Sequence, residues 1–179
     1  MRKEIVLAGS GGQGIQLMGR TLAKALYHKG FLVSLKSSYG AEARGGVSFS
    51  QVVIKESAED WPEVLGVDFL LAMSQKGYSA WISGISSTSS VLFDAGAVNT
   101  IPVPHIIQYP IPATSVANQL GSQIVANMVM LGAVAAITGL LSTENLFEVM
   151  TRKDEKSSDI NLKAVKEGYE LASKLKTAS

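Results

Sequence analysis

The chain opens on Val6-Leu7-Ala8-Gly9-Ser10-Gly11-Gly12-Gln13-Gly14-Ile15, an apolar run that ends in four closely spaced glycines. Behind them Ile15, Met18, Leu22 and Leu26 recur at three- and four-residue steps, the period of an amphipathic helix. Strand, glycine turn and helix therefore follow one another almost from residue 1. Glycines permit positive φ at such a turn and let another backbone or a ligand approach closely. The helix behind the turn directs unpaired N–H groups and the positive end of its dipole at it, which makes an anion site. Gly9, Gly11 and Gly14 match the dinucleotide-binding spacing, in the right place after a strand and before a helix. That fingerprint also calls for an acidic residue about twenty positions on, at the end of the second strand. Here the second strand, Phe31 to Lys36, ends in Lys36-Ser37-Ser38 without a carboxylate. Lys36 would suit a phosphorylated ribose. The turn is thus Rossmann-like without the NAD signature. Two readings stay open: an anion site, or glycines that only allow a helix to pack tightly on a strand.

Ser37-Ser38-Tyr39-Gly40-Ala41-Glu42-Ala43-Arg44-Gly45-Gly46 forms a second notable loop. Loops that combine glycine with charged and aromatic residues tend to carry function. Arg44 can reach an anion as a planar fork, with Glu42 holding it. The alternative is a solvated ion pair on a surface turn, which would contribute little. The strand that follows, Val47 to Ile54, has no helix before it, and a parallel crossover needs about a dozen residues or more. It is expected to run antiparallel to its neighbour.

Further strands are read at Val67–Met73 and Val91–Asp94, and extended chain at Val103–Pro110, where the prolines disfavour a central place in a sheet. Gln75 and Tyr78 follow the first of these, at the strand end where open α/β sheets carry ligands, although the segment also reads as a simple helix start. Ser83–Ser90 is a loop. His105 is expected to be partly buried and hydrogen-bonded. The stretch Ala113 to Leu141 is the most apolar and reads as a buried helix with a small-residue surface, in which Asn118 and Asn127 need partners. Ile124 to Leu141 carries no charge and reaches the length of a minimal membrane span. Scattered Asn and Gln and the lack of a basic flank argue against one. Ser142 is expected to cap a helix through Met150, Arg152–Ser158 to connect, and Asp159 to cap a closing amphipathic helix.

The 179 residues suit one domain, 1–179, with no internal repeat. Only 17% are charged, against about a quarter in ordinary soluble domains. Area buried against partner subunits would account for this, and so would parallel strands covered on both faces. A net charge of +1 gives no argument for nucleic acid or for an acidic membrane. With no cysteine there is no disulfide, thiolate zinc site or cysteine-ligated iron–sulfur cluster. Met1-Arg2-Lys3-Glu4 runs straight into the first strand, so no signal peptide is expected and the location is cytoplasmic.

The Gly9–Gly14 turn together with Ser38–Gly46 resembles the γ subunit of 2-oxoacid:ferredoxin oxidoreductases, and Asn127-Met128-Val129-Met130-Leu131-Gly132-Ala133 is similar to that family too. The resemblance spans nearly the whole chain. It implies a Rossmann-like three-layer α/β sandwich, mostly parallel with one antiparallel strand. It also implies an enzyme in which thiamine diphosphate, magnesium and iron–sulfur clusters lie in other subunits, of α, β and δ type. The 2-oxoacid is decarboxylated there, electrons pass to ferredoxin, and the acyl group leaves on coenzyme A. This chain would hold no cofactor alone and would supply no catalytic residue. Gly9, Ser10, Gly11, Gly12, Gln13 and Gly14, with Tyr39, Gly40, Glu42, Arg44, Gly45 and Gly46, would face the thiamine-binding core near the entry of coenzyme A. Overall likeness favours 2-oxoglutarate. The rivals are a stand-alone oxidoreductase using NADP, FAD or another dinucleotide, an indolepyruvate oxidoreductase subunit, and an assembly subunit whose loops bind only protein.

Overall fold

The computed structural model of the chain describes residues 2–39, 46–150 and 155–178. Six strands, β1 (Lys3–Ser10), β2 (Leu32–Tyr39), β3 (Val47–Lys55), β4 (Phe69–Ala72), β5 (Ser90–Asp94) and β6 (Ile107–Ile111), form one sheet in the order β2-β3-β1-β4-β5-β6. β1, β4, β5 and β6 pair in parallel, while β3 runs antiparallel to both β1 and β2. The hairpin geometry has the expected cause, since the link from Tyr39 to Val47 is too short for a crossover helix. Pro110, which cannot donate to a ladder, sits in β6 at the edge of the sheet.

The helices are α1 (Ile15–His28), α2 (Gln75–Trp81), α3 (Ala113–Gln119), α4 (Ala126–Thr138), α5 (Thr143–Met150) and α6 (Glu155–Ala178). Alternation along β1 sorts the core into two faces: Ile5 and Leu7 join the larger apolar cluster, with α1, α4, α5 and α6, and Val6 and Ala8 join the smaller, with α2. Both faces of the central strands are therefore covered, which makes three layers of unequal thickness. Every residue of α4 from Ala126 to Ile137 is buried, so its apolar surface is absorbed within this chain. Among the described residues no helix is long and apolar enough to cross a membrane.

Several expectations change. The predicted helix Ala113–Leu141 is two helices. Gly121 adopts φ 92°, its N–H donates to the Asn118 carbonyl and the Ser122 N–H donates to the Ala117 carbonyl. This is the Schellman ending that a left-handed glycine permits. Asn118 is exposed and needs no buried partner. α6 already runs at Glu155, so Asp159 lies inside the helix instead of capping it, and residues 155–158 are not a connection. His105 is exposed, with a left-handed φ of 66° in the loop before β6. Ser142 does start α5. Its hydroxyl accepts from the Asn145 N–H while the Asn145 side-chain oxygen accepts from the Ser142 N–H, a reciprocal box. Hydrogen bonds from the Ser142 hydroxyl, from the Glu144 backbone N–H and from the Thr143 hydroxyl hold the Glu144 carboxyl below its usual range.

α6 lies along α4 through two glycines. A Cβ at residue 132 would overlap the Val165 carbonyl oxygen, and a Cβ at residue 168 would overlap the Val129 carbonyl oxygen. The obstruction is backbone in both cases, so no rotamer relieves it. Lys176 closes the pair by donating to the Ala136 and Ile137 carbonyls at the last turn of α4, and Lys29 donates to the Leu140 carbonyl just beyond. Gly132→Ala and Gly168→Ala should each lower stability by about 1–3 kcal/mol. Gly84→Ala, where a Cβ meets nothing within 4 Å, should stay within about 0.5 kcal/mol of the parent. Urea denaturation of the three variants measures this, and an unchanged Gly132→Ala midpoint would contradict the close helix contact.

Candidate functional site

The topology places the glycine turn at the point where the sheet winds in both directions. From β1 the chain passes through α1 on one face to β2, and from β4 through α2 on the other face to β5. Ligands of open α/β sheets bind in the crevice outside the strand ends at such a switch. Here that crevice is closed by the chain itself. The side-chain oxygen of Gln13 accepts from the Ser10 N–H (2.7 Å), and its amide nitrogen donates to the Met73 carbonyl (2.8 Å). Met73 in turn donates its N–H to the Ala8 carbonyl. One carboxamide thus ties the end of β1 to the end of β4, across the place a dinucleotide would enter.

The glycines divide into two kinds. Gly9 lies under the Gln13 side chain, and a Cβ there would stand 2.6 Å from Oε1 of Gln13 and 2.8 Å from Cδ1 of Ile15. Gly14, the N-cap of α1 at φ 74°, has the Nδ2 of Asn127 where a Cβ would be. Gly77 seats α2 against the backbone of Ala8 and Gly9. These three serve close packing. Gly11 and Gly12 are exposed, with nothing within 4 Å of a Cβ at either. The close-packing reading of the turn therefore holds at Gly9 and Gly14, while Gly11 and Gly12 are open to solvent. No side chain caps α1. The N–H groups of its first turn consequently lack intrahelical partners. Exposed Leu17 and Ile124 flank the turn, the latter 84% exposed.

The roots of the second loop meet the same edge of the sheet. Ser10 pairs with Val47, Gly9 with Ser48, and Ser48 with Tyr39. Gly46 immediately precedes β3. Gly40, Ala41, Glu42, Ala43, Arg44 and Gly45 lie outside the described residues. Of the two readings of Gln75 and Tyr78, the helix start holds: Gln75 is the first residue of α2. The Gln75 side-chain oxygen accepts from the Asn99 N–H, and Tyr78 is buried with its hydroxyl donating to Gln108 and accepting from the Ile101 N–H. Lys36 pairs with Glu63 at 2.7 Å, partway along β2, so it is not placed for a ribose phosphate beyond the strand end. Asn127 is buried beside the turn as its isolation in an apolar helix foretold. Arg20, whose side chain lines the concavity at the first turn of α1, carried no signal in the sequence.

A family model of pyruvate ferredoxin/flavodoxin oxidoreductase matches residues 4–171. The chain belongs to that family. It is similar to the 2-oxoglutarate synthase subunit KorC of Methanocaldococcus jannaschii, 41% identical over 98% of this chain and 96% of the relative. The structure of a keto/oxoacid ferredoxin oxidoreductase γ subunit from Geobacter sulfurreducens superposes with a TM-score of 0.84 at 32% identity, covering 96% of this chain and 97% of that one. The 2-oxoglutarate:ferredoxin oxidoreductase of Magnetococcus marinus, solved with 2-oxoglutarate, coenzyme A and succinyl-CoA bound, gives a TM-score of 0.86 at 27% identity. That match covers 96% of this chain and 31% of the larger polypeptide. The chain is thus a γ-type subunit of a 2-oxoacid:ferredoxin oxidoreductase, one part of an enzyme of several subunits.

The division among the glycines can be measured. Gly9→Ala should cost about 1–3 kcal/mol because Gln13 and Ile15 must move. Gly11→Ala should stay within about 0.5 kcal/mol. Gln13→Leu should raise amide hydrogen exchange at Ser10 by at least about tenfold, since loss of a bond worth about 1.5 kcal/mol corresponds to that factor. Exchange at Ser10 unaltered in Gln13→Leu would show that the carboxamide does not hold the turn.

Proposed function

We propose that this subunit serves a 2-oxoglutarate:ferredoxin oxidoreductase, and that the tip of its glycine turn faces the thiamine-binding core and takes part in binding coenzyme A. The observation that carries the reading is the shape of the turn. Its dinucleotide crevice is shut by Gln13, while Gly11 and Gly12 are exposed and no side chain caps α1. A site of that form suits a phosphate presented from outside the domain. It does not suit a dinucleotide lying across the strand ends. The substrate preference rests on the likeness to a 2-oxoglutarate synthase subunit, and the ligands named for the Magnetococcus enzyme include coenzyme A.

In this reading the chain makes and breaks no bonds. Thiamine diphosphate, held with magnesium on the partner subunits, supplies the decarboxylation chemistry when bound. A chain without cysteine cannot hold the iron–sulfur clusters through thiolates, so those belong to the partners as well. The work of this chain is to bind and orient. Backbone N–H groups of Gly11, Gly12 and Gly14 and the fork of Arg44, steadied by Glu42, hold phosphate. Tyr39, Gly40, Gly45 and Gly46 shape the second loop against the core. The partners are the α-, β- and δ-type subunits, with ferredoxin reached through the complex, in the cytoplasm.

Co-expression with the partner subunits tests this directly. The purified complex should reduce a viologen dye with 2-oxoglutarate and coenzyme A, and much less with pyruvate. Arg44→Ala should raise the KM for coenzyme A by roughly tenfold, the value of one charge-assisted contact, with the KM for 2-oxoglutarate unchanged. An assembled variant with the parental KM for coenzyme A would remove Arg44 from the role.

A further inference from the structure

At the end of the sheet opposite the glycine turn, the amino ends of β1, β4 and β5 and the last turn of α4 enclose a second hollow. Its volume is about 310 Å³, at the small end of the range of about 300–1,000 Å³ that ligand pockets occupy. Alternation along β1 turns Lys3 and Ile5 to the face that α4 covers. Ile5, Phe69, Ile137 and Leu140 make an apolar wall. Lys3 and Asp68 are the charged residues of the lining among those described, and Thr88 and Ser90 bring hydroxyls beside them.

The two charges are fixed in place but not spent on each other. Oδ2 of Asp68 accepts the Glu4 N–H at 2.8 Å, the Asp68 N–H donates to the Glu4 carbonyl, and the Asp68 carbonyl accepts the Ser90 N–H. Backbone bonds thus hold the carboxylate and leave Oδ1 over. Nζ of Lys3 stands 3.8 Å from that oxygen and has no closer partner among the described residues. A charge-assisted hydrogen bond is about 2.7–2.9 Å long, so this one is not made. The side chains are 41% and 39% exposed, and solvent screens what attraction remains. The neighbouring pair is the contrast. Nε of Arg2 lies 2.6 Å from Oε1 of Glu4, and Oε2 of Glu4 accepts the N–H groups of Leu65 and Gly66. That pair staples the loop before β4 to β1, and Lys3 adds no such bond.

We propose that this hollow binds a free α-amino acid with an uncharged apolar side chain of about leucine's size. The Lys3 ammonium takes its carboxylate, Oδ1 of Asp68 takes its ammonium, and its side chain lies on Ile5, Phe69, Ile137 and Leu140. Opposite charges a few ångströms apart match a ligand that carries both charges on one carbon. The Thr88 and Ser90 hydroxyls can donate to the same carboxylate. An acid without the amine leaves Asp68 unanswered, and an amine without the acid leaves Lys3 so. A dicarboxylate is turned away twice, because its second charge meets either Asp68 or the apolar wall. The site is therefore closed to 2-oxoglutarate, and it does not depend on what the glycine turn binds.

Isothermal titration calorimetry of the full chain tests this with L-leucine as the probe. Leucine should bind with a Kd of about 0.1–1 mM, as suits a ligand of its size. 4-Methylpentanoate, which lacks the amine, 3-methylbutylamine, which lacks the carboxylate, and L-glutamate should each bind at least about tenfold more weakly. Lys3→Met and Asp68→Asn should each weaken leucine binding by at least about tenfold. Neither change puts folding at risk: Lys3 is part-exposed, and an asparagine oxygen at residue 68 can still accept the Glu4 N–H. The proposal is overturned if leucine gives no binding up to about 10 mM, or if either variant keeps the parental affinity. It is equally overturned if 4-methylpentanoate or glutamate binds the parent chain as tightly as leucine, a comparison that needs no variant.

Discussion

The carboxamide of Gln13 spans the gap between the carboxyl ends of two neighbouring parallel strands, and the form of the site follows from it. Its acceptor end fixes the Ser10 amide and its donor end fixes the Met73 carbonyl. Gly9 has to be glycine because that side chain lies over it, and Gly77 has to be glycine because α2 rests on the same backbone from the other face. With the crevice filled from within, the most exposed part of the turn is its tip at Gly11 and Gly12. A fold whose relatives with open crevices cradle dinucleotides is in this way turned into one that presents backbone N–H groups outward.

The rest of the molecule holds that strand end still. β1 lies inside the sheet, paired with β3 on one side and β4 on the other. Its Ile5, Val6, Leu7 and Ala8 are fully buried between the two apolar clusters. α4 and α6 approach through Gly132 and Gly168 to a distance that side chains would forbid, which brings Asn127 under the N-cap of α1. The low charge content is explained mostly within the chain, since α4 is buried all round by its own neighbours. Among the described residues, Leu17 and Ile124 remain exposed and apolar beside the turn.

Much of the fold was legible because its causes are local. The apolar run, the glycines and the 3.6-residue period specify β1, the turn and α1. A short link between two extended runs specifies the antiparallel β3. Two elements went unread for local reasons of a subtler kind. Gly121 ends α3 through backbone bonds that any glycine near a helix end might or might not form, and the composition around it is as apolar before as after. α6 begins ahead of Asp159, since a charged sequence such as Glu155 to Ser158 fits either a connection or a helix. His105 is expected to be partly buried and hydrogen-bonded, but its place in the loop before β6 leaves it in solvent.

The sequence by itself determined that there is a strand–glycine–helix unit, that it lacks a ribose carboxylate, and that two glycine-bearing loops with this spacing mark one enzyme family. Backbone conformational freedom and hydrophobic period are properties of neighbouring residues, so they can be read in one dimension. Only the tertiary structure decided what each glycine is for. The bond that closes the crevice joins Gln13 to a carbonyl 60 residues away, and the amide that presses on Gly14 comes from a different helix altogether. Whether a glycine makes room for a ligand or for its own chain depends on which distant atom folding brings against it, and spacing carries no trace of that.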